Sequence, residues 1–299
     1  MRNYSLPLVL FMLTLLISCA NKNKSNVSTD QVISSKVNPS LELVWETDTL
    51  LTTAEAVLFD KASKTIYVSN INNNPWEKDG NGFISKINTS GEIVDLKWME
   101  GVSGPKGLGL SHGKLYVSDI DCVAEIDIAS QTITNTYNVE GNPQLNDITV
   151  DHEGVVYASG SGSGTVYKIA HGSITEYASD TLNLKRLNGL LFQKEGLYFL
   201  DSGTQQFGVY NATNGFKKLT DSIGHGDGVV KLENGDFITS SWKGEVFYIH
   251  AKDWSKEKLL DTREASINAA DIDFIPETQT LLVPTFFHNT VRAYKLKLE

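Results

Sequence analysis

A six-bladed β-propeller is the fold this sequence predicts. Three observations point to it: one unit repeated six times, a spacing close to that of a four-stranded blade, and alternation with a strand rather than a helical period. The segments EAVLFDKASKTIYVSN from Glu55, KGLGLSHGKLYVSD from Lys106, NDITVDHEGVVYAS from Asn146, NGLLFQKEGLYFLDS from Asn188, DGVVKLENGDFITSS from Asp227 and ADIDFIPETQTLLVPT from Ala270 share one plan. Each starts polar, runs through a short apolar strand, turns at Gly or charged residues and enters a second apolar strand. Their starts lie 51, 40, 42, 39 and 43 residues apart, and one blade takes about 40–45 residues. Alternation such as Ile66-Tyr67-Val68 before Ser69-Asn70 reads as strand, and no segment sustains a helical period, so the chain is all-β. An open pair of sandwiches is the alternative, and near-equal spacing over six units fits it poorly.

In chain order, residues 1–18 read as an export signal: Arg2 is basic and Leu6 to Ile17 form an apolar core too short to span a bilayer. The core ends in Leu16-Ile17-Ser18-Cys19, which resembles the lipobox of bacterial lipoproteins, with Cys19 the lipidated residue; an ordinary secretory signal with an incidental cysteine is the other reading. Residues 19–40, rich in Asn, Lys and Ser and without apolar periodicity, read as a flexible tether. No acidic residue follows Cys19 closely, so the expected location is the periplasmic face of the outer membrane. The propeller is expected over 41–299. Its first unit shows four strands, at Glu55 to Phe59, Thr65 to Ser69, Gly82 to Ile87 and Glu92 to Trp98. The sixth shows three, at Ala270 to Ile275, Thr280 to Thr285 and Thr290 to Leu296. Leu41 to Glu46, β-prone and without a unit of its own, can supply the missing strand, closing the ring and removing its open edges.

A net charge of -10 with no basic run argues against nucleic acid as partner. The chain has two cysteines; once Cys19 is lipidated, Cys122 has no partner for an internal disulfide. A monomer acting on a small molecule, touching the membrane only through its lipid, is the expectation.

The innermost strand of every blade lines the central channel, so residues that begin it gather at one mouth. These are Glu55, Lys106, Asn146, Asn188, Asp227 and Ala270. Glu55 stands across the axis from Asn188, with Asn146 and Asp227 in the blades on either side of Asn188. Two carboxylates and two amides present only oxygen acceptors, the donor set of hard divalent ions, and a charge of about minus two suits one such ion. Lys106 is placed to hold an anionic substrate group or a developing oxyanion. Asn, Asp and Gly are also ordinary turn residues, so for most of these positions both readings stay open. Glu55, not a turn former, occupies a place where other blades have Asn or Asp and favours a site.

The segments AEAVLFD around Glu55, LNDITVDHEG around Asn146, LNGLLF around Asn188 and GDGVVKLENG around Asp227 resemble, in this order, the senescence marker protein, gluconolactonase and regucalcin family. The resemblance implies a six-bladed propeller with one divalent cation at a channel mouth, calcium first, with magnesium, manganese or zinc as alternatives. It also implies sugar-lactone opening, with Glu55, Asn188 and Asp227 as direct metal ligands. Asn146 would touch substrate or water beside the metal, and Asp227 would act as acid and base. One departure concerns the substrate: sugar lactonases of the family usually carry arginine two residues before the Asn146 position, and this chain has Gln144.

Other features read more plainly. His225 is either a second base or a solvated loop residue, and His288 either lines a pocket or belongs to a strand connection; the bland reading is preferred for both. Trp76, in the longest insertion of the first unit, either stacks on a sugar ring or pins its own loop. Gly160-Ser-Gly-Ser-Gly164 is a turn between strands, because no helix follows to bind phosphate. No Gly-x-Ser-x-Gly elbow, His-Glu-x-x-His or Cys-x-x-Cys occurs, which removes serine hydrolases of that kind, zincins and the usual structural zinc sites. The sequence leads to a metal-dependent hydrolase of a small lactone, with a non-enzymatic ligand-binding propeller or a calcium-stabilised scaffold as alternatives.

Overall fold

The computed structural model describes Met1 and residues 38–299; the lipobox with Cys19, and the signal and tether around it, fall outside the described residues except at their edges. Six four-stranded antiparallel sheets follow one another, their innermost strands packed neighbour to neighbour and the first against the last. The expected six-bladed propeller is what forms. Blade 1 is Ala54–Asp60, Thr65–Asn70, Gly82–Asn88 and Ile93–Val102. The innermost strands of blades 2 to 6 are Pro105–Ser111, Leu145–Val150, Leu187–Gln193, Gly226–Lys231 and Asp273–Ile275. The sole helical element among the described residues is a short 3-10 turn, Pro276–Thr278.

Blade 6 is completed by Pro39–Glu46, which pairs antiparallel with the last strand, Val291–Leu298. The closing strand begins two residues before the Leu41 start read from the sequence, because Pro39 and Ser40 still find ladder partners in Leu298 and Lys297. The closure is also stitched by side chains: Thr290 Oγ1 donates to Glu46 Oε1 at 2.7 Å.

Cys122 is a free thiol, so stability rests on burial and hydrogen bonding. Apolar residues bridge successive blades in six clusters around the ring, for example Tyr67, Ile84 and Trp98 of blade 1 against Leu108, Leu115 and Ile126 of blade 2. The corresponding clusters join blades 2 and 3, 3 and 4, 4 and 5, 5 and 6, and 6 and 1. Inner strands are buried almost throughout, whereas outer ones such as Thr132–Asn138 face solvent.

One irregularity recurs. In blade 1 the inner strand pairs Ala54 with Asn70 and then Val57 with Val68, so two residues, Glu55 and Ala56, are left outside the ladder. The same bulge follows Pro105, Leu145, Leu187 and Gly226 in blades 2 to 5. A bulge re-aims side chains and leaves backbone groups to be satisfied otherwise. Here serines of the second strand do it: Ser69, Ser159 and Ser240 Oγ accept from Ala56, Asp147 and Gly228 N at 2.8–2.9 Å.

Candidate active site at the channel mouth

Glu55, Lys106, Asn146, Asn188 and Asp227 are the first bulged residues of blades 1 to 5, and the bulges bring all five onto one cavity of about 340 Å³ at the mouth. All five side chains are buried. In blades 2 and 4 the second bulged residue has to be glycine where the inner strands converge: a Cβ on Gly189 would lie 1.9 Å from Asp227 O, and one on Gly107 2.5 Å from Asp147 Cα.

Asn188 Nδ2 donates to Asp227 Oδ1 at 2.7 Å, which fixes both side chains. Asn146 Nδ2 donates to Ser161 Oγ at 3.3 Å, and that hydroxyl is anchored on Leu187 O at 2.6 Å. Two buried acceptors remain without a partner, Glu55 Oε2 and Asn188 Oδ1. Orphaned buried oxygens are costly, about 1–3 kcal/mol each, and oxygen acceptors of this kind suit a hard cation. Among the described residues no group of three or more His, Cys, Asp or Glu has metal-holding geometry; the mouth is a mixed set of carboxylates and amides.

The electrostatics follow from burial. Asp227 is pushed up to about 7, by burial first and then by the Asp147 carboxylate. Glu55 rises well above the usual carboxylate range for the same first reason, with Asp227 adding to it and Lys106 opposing. The Lys106 ammonium is brought down to about 8, burial outweighing the attraction of Glu55. Behind the mouth, Asp147 and Asp271 are coupled by a side-chain hydrogen bond, and burial raises both, Asp147 to about 7. Asn146 faces the mouth while its neighbour Asp147 lines a second cavity at the far end of the channel, together with Asp271 and Asp273.

The Trp76 loop folds over this mouth, and Trp76 lines the cavity. Lys106 Nζ lies 4.2 Å from the centroid of the indole and donates to Pro75 O at 2.8 Å and Gly104 O at 2.7 Å. Two of its three donors are therefore engaged, and the residue is a strut for the loop as well as a cation on the wall. Arg186, 5.8 Å from the same ring, completes the stack. Its turn is held by Asp201 Oδ2, which accepts from Lys185 N at 2.9 Å and Arg186 N at 3.0 Å. Gln144 does not line the cavity, whereas Arg186, at the same offset before Asn188, does; the guanidinium comes from the next blade.

His225 lines the rim, its imidazole held below its ordinary value by burial first and then by nearby Lys243 and Arg186. His288 lies in the strand connection, 3.4 Å from Glu46. Sequence reasoning missed Arg186, Trp242, Phe286 and Phe287 on the cavity wall, and Asp147 and Asp271 behind it. A usable signal was the serine recurring in YVSN, YVSD, YASG and ITSS, which stands opposite the bulge in four of the five bulged blades.

No protein-family model matches the chain and no curated protein matches it. Solved structures do match. One is a gluconolactonase of Xanthomonas campestris, at TM-score 0.65 and 13% identity over 87% of this chain and 97% of that one. Another is a calcium-binding protein, regucalcin, of Agrobacterium tumefaciens, at TM-score 0.64 and 18% identity over 86% and 95%. A third is virginiamycin B lyase of Staphylococcus aureus, at TM-score 0.64 and 11% identity over 86% and 99%. At such identities the likeness is one of fold: the chain has the six-bladed propeller architecture of proteins named gluconolactonase and regucalcin.

Proposed function

We propose that the chain is a divalent-cation-dependent hydrolase of a small lactone or similar cyclic ester, exported and held through a lipid on Cys19 at the periplasmic face of the outer membrane. One observation carries the catalytic part: Glu55, Asn188 and Asp227 meet in a buried mouth where Glu55 Oε2 and Asn188 Oδ1 have no partner. That donor set fits a hard cation; Glu55, Asn188 and Asp227 would hold it, calcium first, with Asn146 beside it. When bound, the ion supplies Lewis acidity to the ester carbonyl and acidifies a water.

The rest is done by the chain. The bond from Asn188 occupies Asp227 Oδ1 and leaves Oδ2 to take a proton from the attacking water and return it to the leaving alkoxide. Because that alkoxide is tethered in the ring, the product is a hydroxy acid. Lys106 keeps one N–H beyond its two carbonyl partners for an oxygen that gains charge. Loop and rim shield the reacting groups from bulk water.

A second reading, ligand binding without turnover, is favoured by the Lys106–Trp76–Arg186 stack, a recognition wall that needs no chemistry. The deciding experiment is hydrolysis of a lactone panel by the full-length protein with calcium, magnesium, manganese or zinc added, and with chelator. Metal-dependent turnover that disappears in Asp227→Asn supports the hydrolase. No turnover by a folded, metal-binding protein refutes it in favour of binding.

A further inference from the structure

We infer that the mouth is built for a lactone carrying an apolar acyl or aryl substituent, seated on an aromatic shelf formed by Trp242, Phe286 and Phe287, rather than for a polyhydroxylated sugar ring. The inference rests on the hydrolase reading for the reaction, but on the shelf alone for the substrate's shape. Where blades 5, 6 and 1 meet, the cavity wall carries Ile71, Trp242, Phe286 and Phe287 beside the polar Glu55, Asp227 and His225. Ile71, Ala270 and Phe286 form an apolar cluster with Trp242 packed against it, apart from the clusters that join the blades. The Trp242 and Phe286 rings stand edge to face at 5.3 Å, and Phe286 and Phe287 at 4.7 Å. Blade 6 places the buried Ala270, which does not reach the cavity, where the other five blades place a polar or charged residue, and so adds no polar side chain to the wall; a sugar hydroxyl lying against the aromatic rings would lose its hydration without a partner.

Two further features mark the shelf as more than incidental packing. Phe287 lines the cavity while 60% exposed; a phenyl ring left in solvent at the rim of a concave site is available to a ligand. Phe286 has φ of 50°, a left-handed conformation unfavourable for a bulky side chain. It is held there by the bond from Phe286 N to Ala54 O at 3.0 Å, on the residue that precedes Glu55. The shelf is thereby anchored to the strand that carries a proposed ligand, and its distance from the reacting centre is fixed.

The test compares γ-phenyl-γ-butyrolactone, unsubstituted γ-butyrolactone and glucono-δ-lactone as substrates of the full-length protein and of Phe287→Ser, whose exposed position makes misfolding a minor risk. In parallel, binding of 2-phenyltetrahydrofuran, which has no ester to cleave, is followed by tryptophan fluorescence. The expected result is preference for the phenyl lactone and a loss of about 10-fold in its kcat/KM in Phe287→Ser, with a smaller loss for the unsubstituted ring. Preference for gluconolactone, or a Phe287→Ser variant with an unaltered profile, overturns the inference. If no lactone turns over, the hydrolase reading fails and the ether decides: binding weakened in Phe287→Ser upholds the shelf, and absence of binding removes it.

Discussion

Replacing Asp227 by Asn is expected to abolish turnover and, in the absence of cations, to make the protein more stable. The carboxyl sits at about 7 against an ordinary 3.8, chiefly because it is buried. That gap is about three pH units, each worth about 1.4 kcal/mol, so at pH 8 the ionised side chain costs the fold on the order of 4 kcal/mol relative to a neutral group of the same shape. An acid whose folded-state value is raised stabilises fully below its unfolded value and loses that contribution as pH rises through the folded one. The advantage of Asn is therefore absent below about pH 3.8, opens through about 7 and then levels off. In a chain of this size it amounts to about 10 °C in Tm. The assay is thermal unfolding of wild type and variant in chelator from pH 4 to pH 8, repeated with calcium, which should stabilise the wild type and leave the variant nearly unmoved. A variant less stable than wild type at pH 8, or a difference that ignores pH, would refute the electrostatic reasoning.

Three more expectations follow from the same structure. Glu55→Gln keeps the shape of an orphaned acceptor and removes its charge, so calcium titration by calorimetry should show affinity weakened by at least about 10-fold; equal affinity would take Glu55 out of the site. Lys106→Met breaks the bonds to Pro75 O and Gly104 O and should cost on the order of 2 kcal/mol, with faster hydrogen exchange in residues 71–81; unchanged exchange would mean the loop holds itself. Deleting residues 38–46 exposes the edge of Val291–Leu298 and should give concentration-dependent association in size-exclusion chromatography, whereas a monodisperse product would show that the ring closes without its borrowed strand.

The repeat made the fold legible, since each blade must bury the same alternating faces and so repeats the same polar start and apolar strands. Glu55, Lys106, Asn146, Asn188 and Asp227 were legible for the same reason: they occupy one position in five units, and the ring turns that position into proximity. Asp147 was hidden by the bulge, and Asp271 by its place before the short inner strand of blade 6. In a regular strand consecutive side chains face opposite ways, so a carboxylate following Asn146 reads as belonging to the other face, while here it lies deeper in the same channel. Arg186, Trp242 and Phe286 come from connections whose residues differ in kind from blade to blade, so no shared residue type marks them as part of the wall. Gln144 illustrates the limit: its side chain could be read from the sequence, but that Arg186 and not Gln144 reaches the cavity is decided by the fold.

The bulges separate what the ladder needs from what the mouth displays. Glu55, Lys106, Asn146, Asn188 and Asp227 lie outside the register that holds their sheets together. Each is in effect a socket, open to exchange with little effect on the pairing around it. Five sockets at one height, together with Ala270 beside them, make a small combinatorial board. A scaffold of this kind can change its chemistry one socket at a time, from cation-holding to anion-holding or to wholly apolar, while the propeller that carries the board stays the same.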